Sequence, residues 1–307
     1  MSEPQSNEIG EEQQLGQFIP LHYHWQMLQD SERVDAFRET IEHFVRPGMR
    51  VVELGGGTGI LSSFAARCGA QVVCVERNPE LVRTARRLIR LNGLEERIEV
   101  VQADAREFVP AEPADFVICE MLHVGLVREK QTEVIAAFRR NHSAMHGDHP
   151  TRFAPEATLL MVQGVEQDFD YAGYCAPVPL FQAPSAFQPR TRELTDPTTY
   201  GQFCYDESIP QRFDWSGELT VVHDGRLNAL RFLTQNLIGI VLEEGRTFAW
   251  PNQFLVVPLE RSETVTSGDR FRVSLDYACG APLSALTERL RVERVTTGAE
   301  IVRRRAA

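Results

Sequence analysis

Val51-Val52-Glu53-Leu54-Gly55-Gly56-Gly57-Thr58-Gly59-Ile60-Leu61 reads as a short buried strand, an acidic residue, a glycine-rich turn and the start of a helix. A second apolar run, Val72-Val73-Cys74-Val75, ends at Glu76. The turn has no Lys-Ser/Thr pair, so it cannot cradle a triphosphate. Its third glycine falls at Gly59, so the G-x-G-x-x-G spacing of a dinucleotide site is not met either.

Elements of the same kind follow in order. Pro47-Gly48 closes a helix expected over about Trp25 to Phe44, in which Val34, Phe37, Ile41 and Phe44 recur at helical spacing. Gly59 to Arg67 continues as a helix. Asn78-Pro79 opens another and Asn92-Gly93 closes it. Ile98 to Val101 is a third strand leading to Asp104, and Asp115 to Cys119 a fourth leading to Glu120. A helix near Gln131 to Arg140 comes next. Strands alternating with helices predict a parallel sheet covered on both faces.

This layout suits an adenosyl cofactor, and it is the pattern of a class I S-adenosylmethionine (SAM) methyltransferase. A glycine turn at a strand's carboxyl end brings backbone close to the ligand, with helix N–H groups facing it. Gly55, Gly57, Gly59, Ile60 and Leu61 form that turn. Glu53 is placed for the amino-acid end of the cofactor. Glu76 is placed to accept both ribose hydroxyls. Asp104 and Ala105 are expected to border the adenine.

The texture changes near Pro150. Phe271, Val273, Leu275 and Tyr277 alternate with Arg272, Ser274 and Asp276, the period of an antiparallel strand with one wet face. Ala157 to Val165, Leu219 to Val222, Leu237 to Leu242 and Phe254 to Val257 are further strand candidates. The expected organisation is a flexible acidic leader over 1–20, a Rossmann-like α/β cofactor domain over 21–152, and a mostly antiparallel β-barrel over 153–307. A Pro- and Gln-rich excursion from the barrel is expected at 175–197.

A net charge of −11 disfavours nucleic acid as the main partner. No apolar run approaches a membrane span. The six cysteines form no CxxC pair, which fits a reducing cytoplasm without a disulfide framework. Lys130 is the single lysine. His142, His146 and His149 have spacings that resemble helical metal ligands. Gly147, Asp148 and Pro150 interrupt the helix and no Glu or Cys stands among them, so no metal site is expected.

Glu120 and Glu129 belong at the carboxyl edge of the sheet, where such folds take substrate. Two converging carboxylates suit a planar guanidinium. They would orient it, localise its charge away from the attacking nitrogen and take the released proton. His123, between them, is a candidate base or simply a lining residue. Trp250 is a candidate wall for the acceptor or a core residue.

On these motifs the chain resembles the protein arginine methyltransferases. His24-Trp25-Gln26-Met27-Leu28-Gln29-Asp30-Ser31-Glu32-Arg33 is similar to that family's cofactor-covering helix. The resemblance implies contacts from His24, Met27 and Arg33 to SAM, with Arg33 on its carboxylate. Gly57-Thr58-Gly59-Ile60-Leu61 with Phe64-Ala65-Ala66 is similar to the family's first motif. Glu120 and Glu129 match the spacing of its double-glutamate loop. Pro155-Glu156-Ala157-Thr158-Leu159 looks like its entry into the barrel, where a cis proline is usual. The departures are specific. Met121-Leu122-His123-Val124-Gly125 replaces the family's Met-Gly between the glutamates. Its Thr-His-Trp loop aligns with Phe248-Ala249-Trp250, without the histidine. Its paired tyrosines fall at Gln14 and Phe18. The resemblance implies an N-methyltransferase with SAM as cofactor. Its acceptor would be an arginine-containing protein or a small guanidino or amine compound, and homodimerisation would run through the excursion. A small-molecule O- or C-methyltransferase and a non-catalytic SAM-binding protein are the alternatives.

Overall fold

The computed structural model describes residues 21–295. The acidic leader, Gln14 and Phe18 therefore lie outside the described residues. Two helices open the described chain, α1 (Leu21–Gln29) and α2 (Ser31–Phe44). The single helix expected from Trp25 is thus two. Asp30 divides them: its side chain accepts the Arg33 backbone N–H at 3.0 Å and caps α2. Ala36, Phe37, Thr40 and Ile41 form the buried stripe of α2. Phe37 and Ile41 are fully buried, each contributing about 1.5–3 kcal/mol by leaving water.

The first sheet comprises β1 (Arg50–Leu54), β2 (Gln71–Glu76), β3 (Ile98–Gln102), β4 (Phe116–Cys119) and β5 (Arg152–Ala154). All its pairings are parallel, in the order β3-β2-β1-β4-β5. Strand order reverses between β1 and β4, the switch point at whose carboxyl edge ligands bind in open parallel sheets. Val51, Val52 and Leu54 are all buried. The strand shows no alternation because both of its faces are covered. The connecting helices are α3 (Ile60–Arg67), α4 (Pro79–Leu91) and α5 (Gln131–His146). Asn78 caps α4 by accepting the Glu80 N–H at 2.9 Å, and Pro79 fills the first turn. α5 runs six residues beyond the expected Arg140 and stops at Gly147.

A cis peptide joins Ala154 to Pro155 and leads into an antiparallel β domain. It contains β6 (Ala157–Gln167), β7 (Asp170–Tyr171), β8 (Tyr174–Cys175), β9 (Leu180–Gln182), β10 (Thr191–Glu193) and β11 (Thr198–Cys204). β12 (Arg212–Thr220), β13 (Gly225–Val241), β14 (Arg246–Pro251), β15 (Phe254–Val265), β16 (Arg270–Ala278), α6 (Leu283–Glu288) and β17 (Arg291–Arg294) complete it. A seven-stranded sheet is built around β6, β13 and β15, and a three-stranded sheet is ordered β12-β16-β17. The excursion is tied back to the body: β9 pairs with β15 and β10 with β6. Phe187, Tyr174 and Val178 on it remain exposed. No helix of the described residues is long and apolar enough to cross a membrane.

Candidate active site

A cavity of about 140 Å³, open to solvent, lies at the carboxyl edge of the parallel sheet. Its floor is the glycine turn after β1. Gly57, at φ +53°, passes under His24: a Cβ there would stand 2.8 Å from the imidazole. A Cβ on Gly55, at φ +79°, would stand 2.5 Å from the Met121 methyl carbon. Both positions need glycine for their positive φ, and both bring the backbone close to those side chains. Gly59 plays another part. It caps α3 in the left-handed region and its α-carbon faces Ile89 of α4. It is not among the residues that line the cavity, and its part is to shape the turn that carries Gly55 and Gly57.

Glu76, at the tip of β2, is buried. One carboxylate oxygen accepts the Gly57 N–H at 2.9 Å and the other accepts the Asn78 N–H at 2.7 Å. These charge-assisted bonds fix the carboxylate plane and leave lone pairs towards the cavity. Glu53 is also buried. It accepts the Ser62 N–H at 2.9 Å and a short bond from the Ser62 hydroxyl. Burial pushes its carboxyl up to about 7, against the pull of those two donors. Glu53 therefore ties β1 to the first turn of α3 as well as facing the cavity. Asp104 is engaged too: Arg106 holds both of its oxygens and Arg77 lies 3.3 Å away. Arg106 keeps the Asp104 carboxyl below its ordinary range. Ala105, Ile60 and Leu61 supply apolar wall.

His24 and Met27 of α1 close the cavity from above. Arg33, buried on α2, donates from Nη2 to the Met27 carbonyl at 2.6 Å and from Nη1 to Glu120 in a short ion pair. Its Nε is buried and has no hydrogen-bond partner among the described residues, so the guanidinium has capacity left for an anion.

Glu120 and Glu129 converge on the same cavity. Burial raises the Glu120 carboxyl, and the neighbouring Arg33 opposes that rise. Burial, with Glu120 alongside, pushes Glu129 up to about 8. A pair so placed is short of positive charge.

The segment between them is held from several sides. Gln131 is 1% exposed and grips the chain on both sides of Glu120: it accepts the Met121 N–H at 2.9 Å and donates to the Cys119 carbonyl at 2.8 Å. Asn252 donates to the Leu122 carbonyl at 3.1 Å. Gly125 gives its N–H to the Thr234 hydroxyl and receives the Tyr277 hydroxyl, both at 2.8 Å. Gly125, Leu126 and Arg128 all have positive φ. That strained path persists because the β domain pins it.

Comparison with known proteins accords with this architecture. Residues 51–143 match the methyltransferase domain family. Along 269 residues the chain is 29% identical to an uncharacterised protein of Methanothermobacter thermautotrophicus, covering 86% of this chain and 95% of that one. Along 162 residues it is 30% identical to protein arginine N-methyltransferase 1 of Schizosaccharomyces pombe, covering 50% and 46% of the two chains. A chain of the Trypanosoma brucei PRMT1 enzyme-prozyme heterotetrameric complex with AdoHcy superposes with TM-score 0.69 at 17% identity, over 90% of this chain and 99% of that one. The protein is a class I SAM methyltransferase related to the protein arginine methyltransferases.

SAM is the cofactor of this methyltransferase, and the cavity fits it. The glycine cradle admits backbone-close contact, Glu76 offers a fixed carboxylate to a ribose, and Arg33 keeps an unused buried donor. His123 falls outside the cavity lining. Its ring packs edge-on against Phe181 at 5.6 Å, and burial lowers its basicity to about 4. That position and that weak basicity do not favour a general-base role for His123. Trp250 is buried in the core and does not reach the cavity. The three spaced histidines of α5 and its end are each engaged: His142 accepts the Ala114 N–H at 2.9 Å, while His146 meets the Pro110 carbonyl and His149 meets Asp115. Among the methyltransferase's lining residues, Gly56, Asn78, Met121 and Lys130 were not anticipated from the motifs. Gly56 and Asn78 adjoin residues that were. Gln131 and Asn252 carry no local signal.

Proposed function

We propose that this methyltransferase acts on a guanidino nitrogen gripped between Glu120 and Glu129. The observation that carries this reading is the convergence of two partly buried carboxylates on the cofactor cavity, with Glu129 raised to about 8. A carboxylate that costly to ionise alone favours a partner that arrives positively charged and forked. The acidic side chains at this end of the cavity outnumber the one guanidinium, Arg33, that already sits on Glu120.

SAM supplies a methyl group on a sulfonium, so the S–CH₃ bond breaks with its electron pair left on sulfur while a C–N bond forms. The chain's own residues prepare the acceptor. Glu120 and Glu129 hold two of the guanidinium's N–H edges and draw its positive charge towards themselves. The third nitrogen then regains lone-pair character and can be aimed at the methyl carbon. After transfer one proton must leave that nitrogen, and Glu129, which the bound guanidinium holds as a carboxylate, is the group placed to receive it. Arg33 and Gln131 keep Glu120 in place throughout. The related Schizosaccharomyces pombe protein is named a protein arginine N-methyltransferase, which supports an arginine-type acceptor.

Incubation with methyl-tritiated SAM and guanidino acceptors, followed by mass analysis of the products, tests the reading. Nω-methylated guanidine is expected, with turnover in Glu129→Gln reduced by about 100-fold or more and S-adenosylhomocysteine affinity near that of the wild type. Label in no guanidine, or full turnover by Glu129→Gln, would overturn it.

A further inference from the structure

Lys130 stands next to Glu129 and lines the same cavity. A cation there is out of keeping with a pocket built for a guanidinium, since like charges a few ångströms apart repel. The other lining cations each have a closer carboxylate partner. Arg33 is on Glu120, Arg77 is 3.3 Å from Asp104, and Arg106 is 2.7 Å from Asp104 and 2.9 Å from Glu133. Lys130 has the longest ion pair of these four, 3.8 Å to Glu133. A half-buried i,i+3 pair that loose holds the ammonium only weakly.

Its path is also shaped. The Lys130 stem crosses Gly280 so closely that a Cβ there would lie 2.9 Å from Cδ and 3.4 Å from Nζ. Gly280, at φ +70°, donates its N–H to the Leu126 carbonyl at 2.7 Å. The same glycine thus clears space for the lysine and fastens the loop that carries Glu129. A surface lysine serving solubility needs neither.

We infer that Lys130 receives an anionic group on the acceptor, and that the acceptor is a small guanidino carboxylic acid. This rests on the guanidino reading of the site and narrows it. A molecule with a guanidinium at one end and a carboxylate at the other would satisfy Glu120 and Glu129 with the first and Lys130 with the second. One ligand then neutralises charges of both signs along one wall. A carboxylate on an acidic peptide side chain would present the same chemistry, so the choice between the two is a matter for the test.

L-arginine and agmatine differ by the carboxylate alone, and they are the probes. The wild-type enzyme is expected to show kcat/KM at least about tenfold higher for L-arginine. Lys130→Met should collapse that preference, chiefly through a higher KM for L-arginine, and Lys130→Arg should restore part of it. S-adenosylhomocysteine affinity and the far-ultraviolet circular dichroism of each variant establish that it is folded. Equal use of the two compounds by the wild type, or a preference that survives in folded Lys130→Met, would overturn the inference while leaving the guanidino site standing. End-blocked arginyl peptides outperforming L-arginine would overturn it in favour of a protein acceptor. Methylation of none of these guanidines would overturn both.

Discussion

Arg33 holds Glu120 in an ion pair that links α2 to the tip of β4 across 87 residues of sequence. Both partners are almost sealed from solvent, at 7% and 9% side-chain exposure. Both residues line the same cavity.

Removing one member of such a pair leaves an uncompensated charge, which costs about 3–5 kcal/mol. Arg33→Met should lower the melting temperature and weaken S-adenosylhomocysteine. The sign with pH follows from Glu120, whose carboxyl burial already raises. Without Arg33 it rises further. The deficit should be full above the new titration point and shrink as acid protonates the carboxyl. Thermal melts from pH 5 to 8.5 check this; a deficit independent of pH would show that Glu120 is not the stranded group.

Glu129 gives a second pH signature. Its carboxyl is held up to about 8, so at pH 7 it is mostly protonated before the acceptor arrives. A guanidinium lowers it and drives the proton off. Acceptor binding, measured in the presence of S-adenosylhomocysteine, should release close to one proton at pH 7 and almost none at pH 9.5. Calorimetry in buffers of different ionisation enthalpy reads this directly. For folding the sign is opposite to that of a salt-bridged acid: this group favours the native state below the ordinary carboxylate range and loses that contribution as pH climbs through about 8.

Glu76→Ala should cut S-adenosylhomocysteine affinity by about 100-fold, because it removes the ribose partner and orphans the Gly57 and Asn78 N–H groups it now satisfies. Glu76→Gln, which keeps acceptor capacity on one side, should lose less. Isothermal titration separates the two, and equal losses would argue against a directional role for the second oxygen.

Gln131→Leu should leave S-adenosylhomocysteine affinity close to normal and lower kcat by about tenfold or more. The Met121 N–H and Cys119 carbonyl would lose their partner on both sides of Glu120, each at about 1–3 kcal/mol. Gln131→Glu, which can still accept from Met121, should recover part of kcat. An unchanged kcat in Gln131→Leu would show that the backbone holds Glu120 without help.

Much of this was legible in the chain. Alternating apolar runs and helical stripes announced the parallel sheet, and acids at strand ends announced its binding edge. Phe271 to Tyr277 announced the antiparallel half by period two. Other features were hidden for physical reasons. β13 runs from Gly225 to Val241, but buried residues on both faces and a register shift between Leu227 and Ala229 blur its periodicity, so only its end was visible. The break at Asp30 was readable as a cap, yet the apolar spacing on both sides disguised it. His123 looked like a base because it lies between two glutamates; extended backbone there turns its ring to Phe181 instead. Gln131, Thr234 and Asn252 act through backbone groups, which sequence motifs do not mark.

The attachment of Gly125 to Thr234 and Tyr277 divides labour between the two halves of the molecule. Under the proposed reading the donor would be housed by the parallel sheet and its overlying helices, whereas the loop between Glu120 and Glu129 is fastened by residues more than 100 positions downstream. Exchanging the C-terminal half for that of a relative would therefore be expected to change what gets methylated while sparing what supplies the methyl.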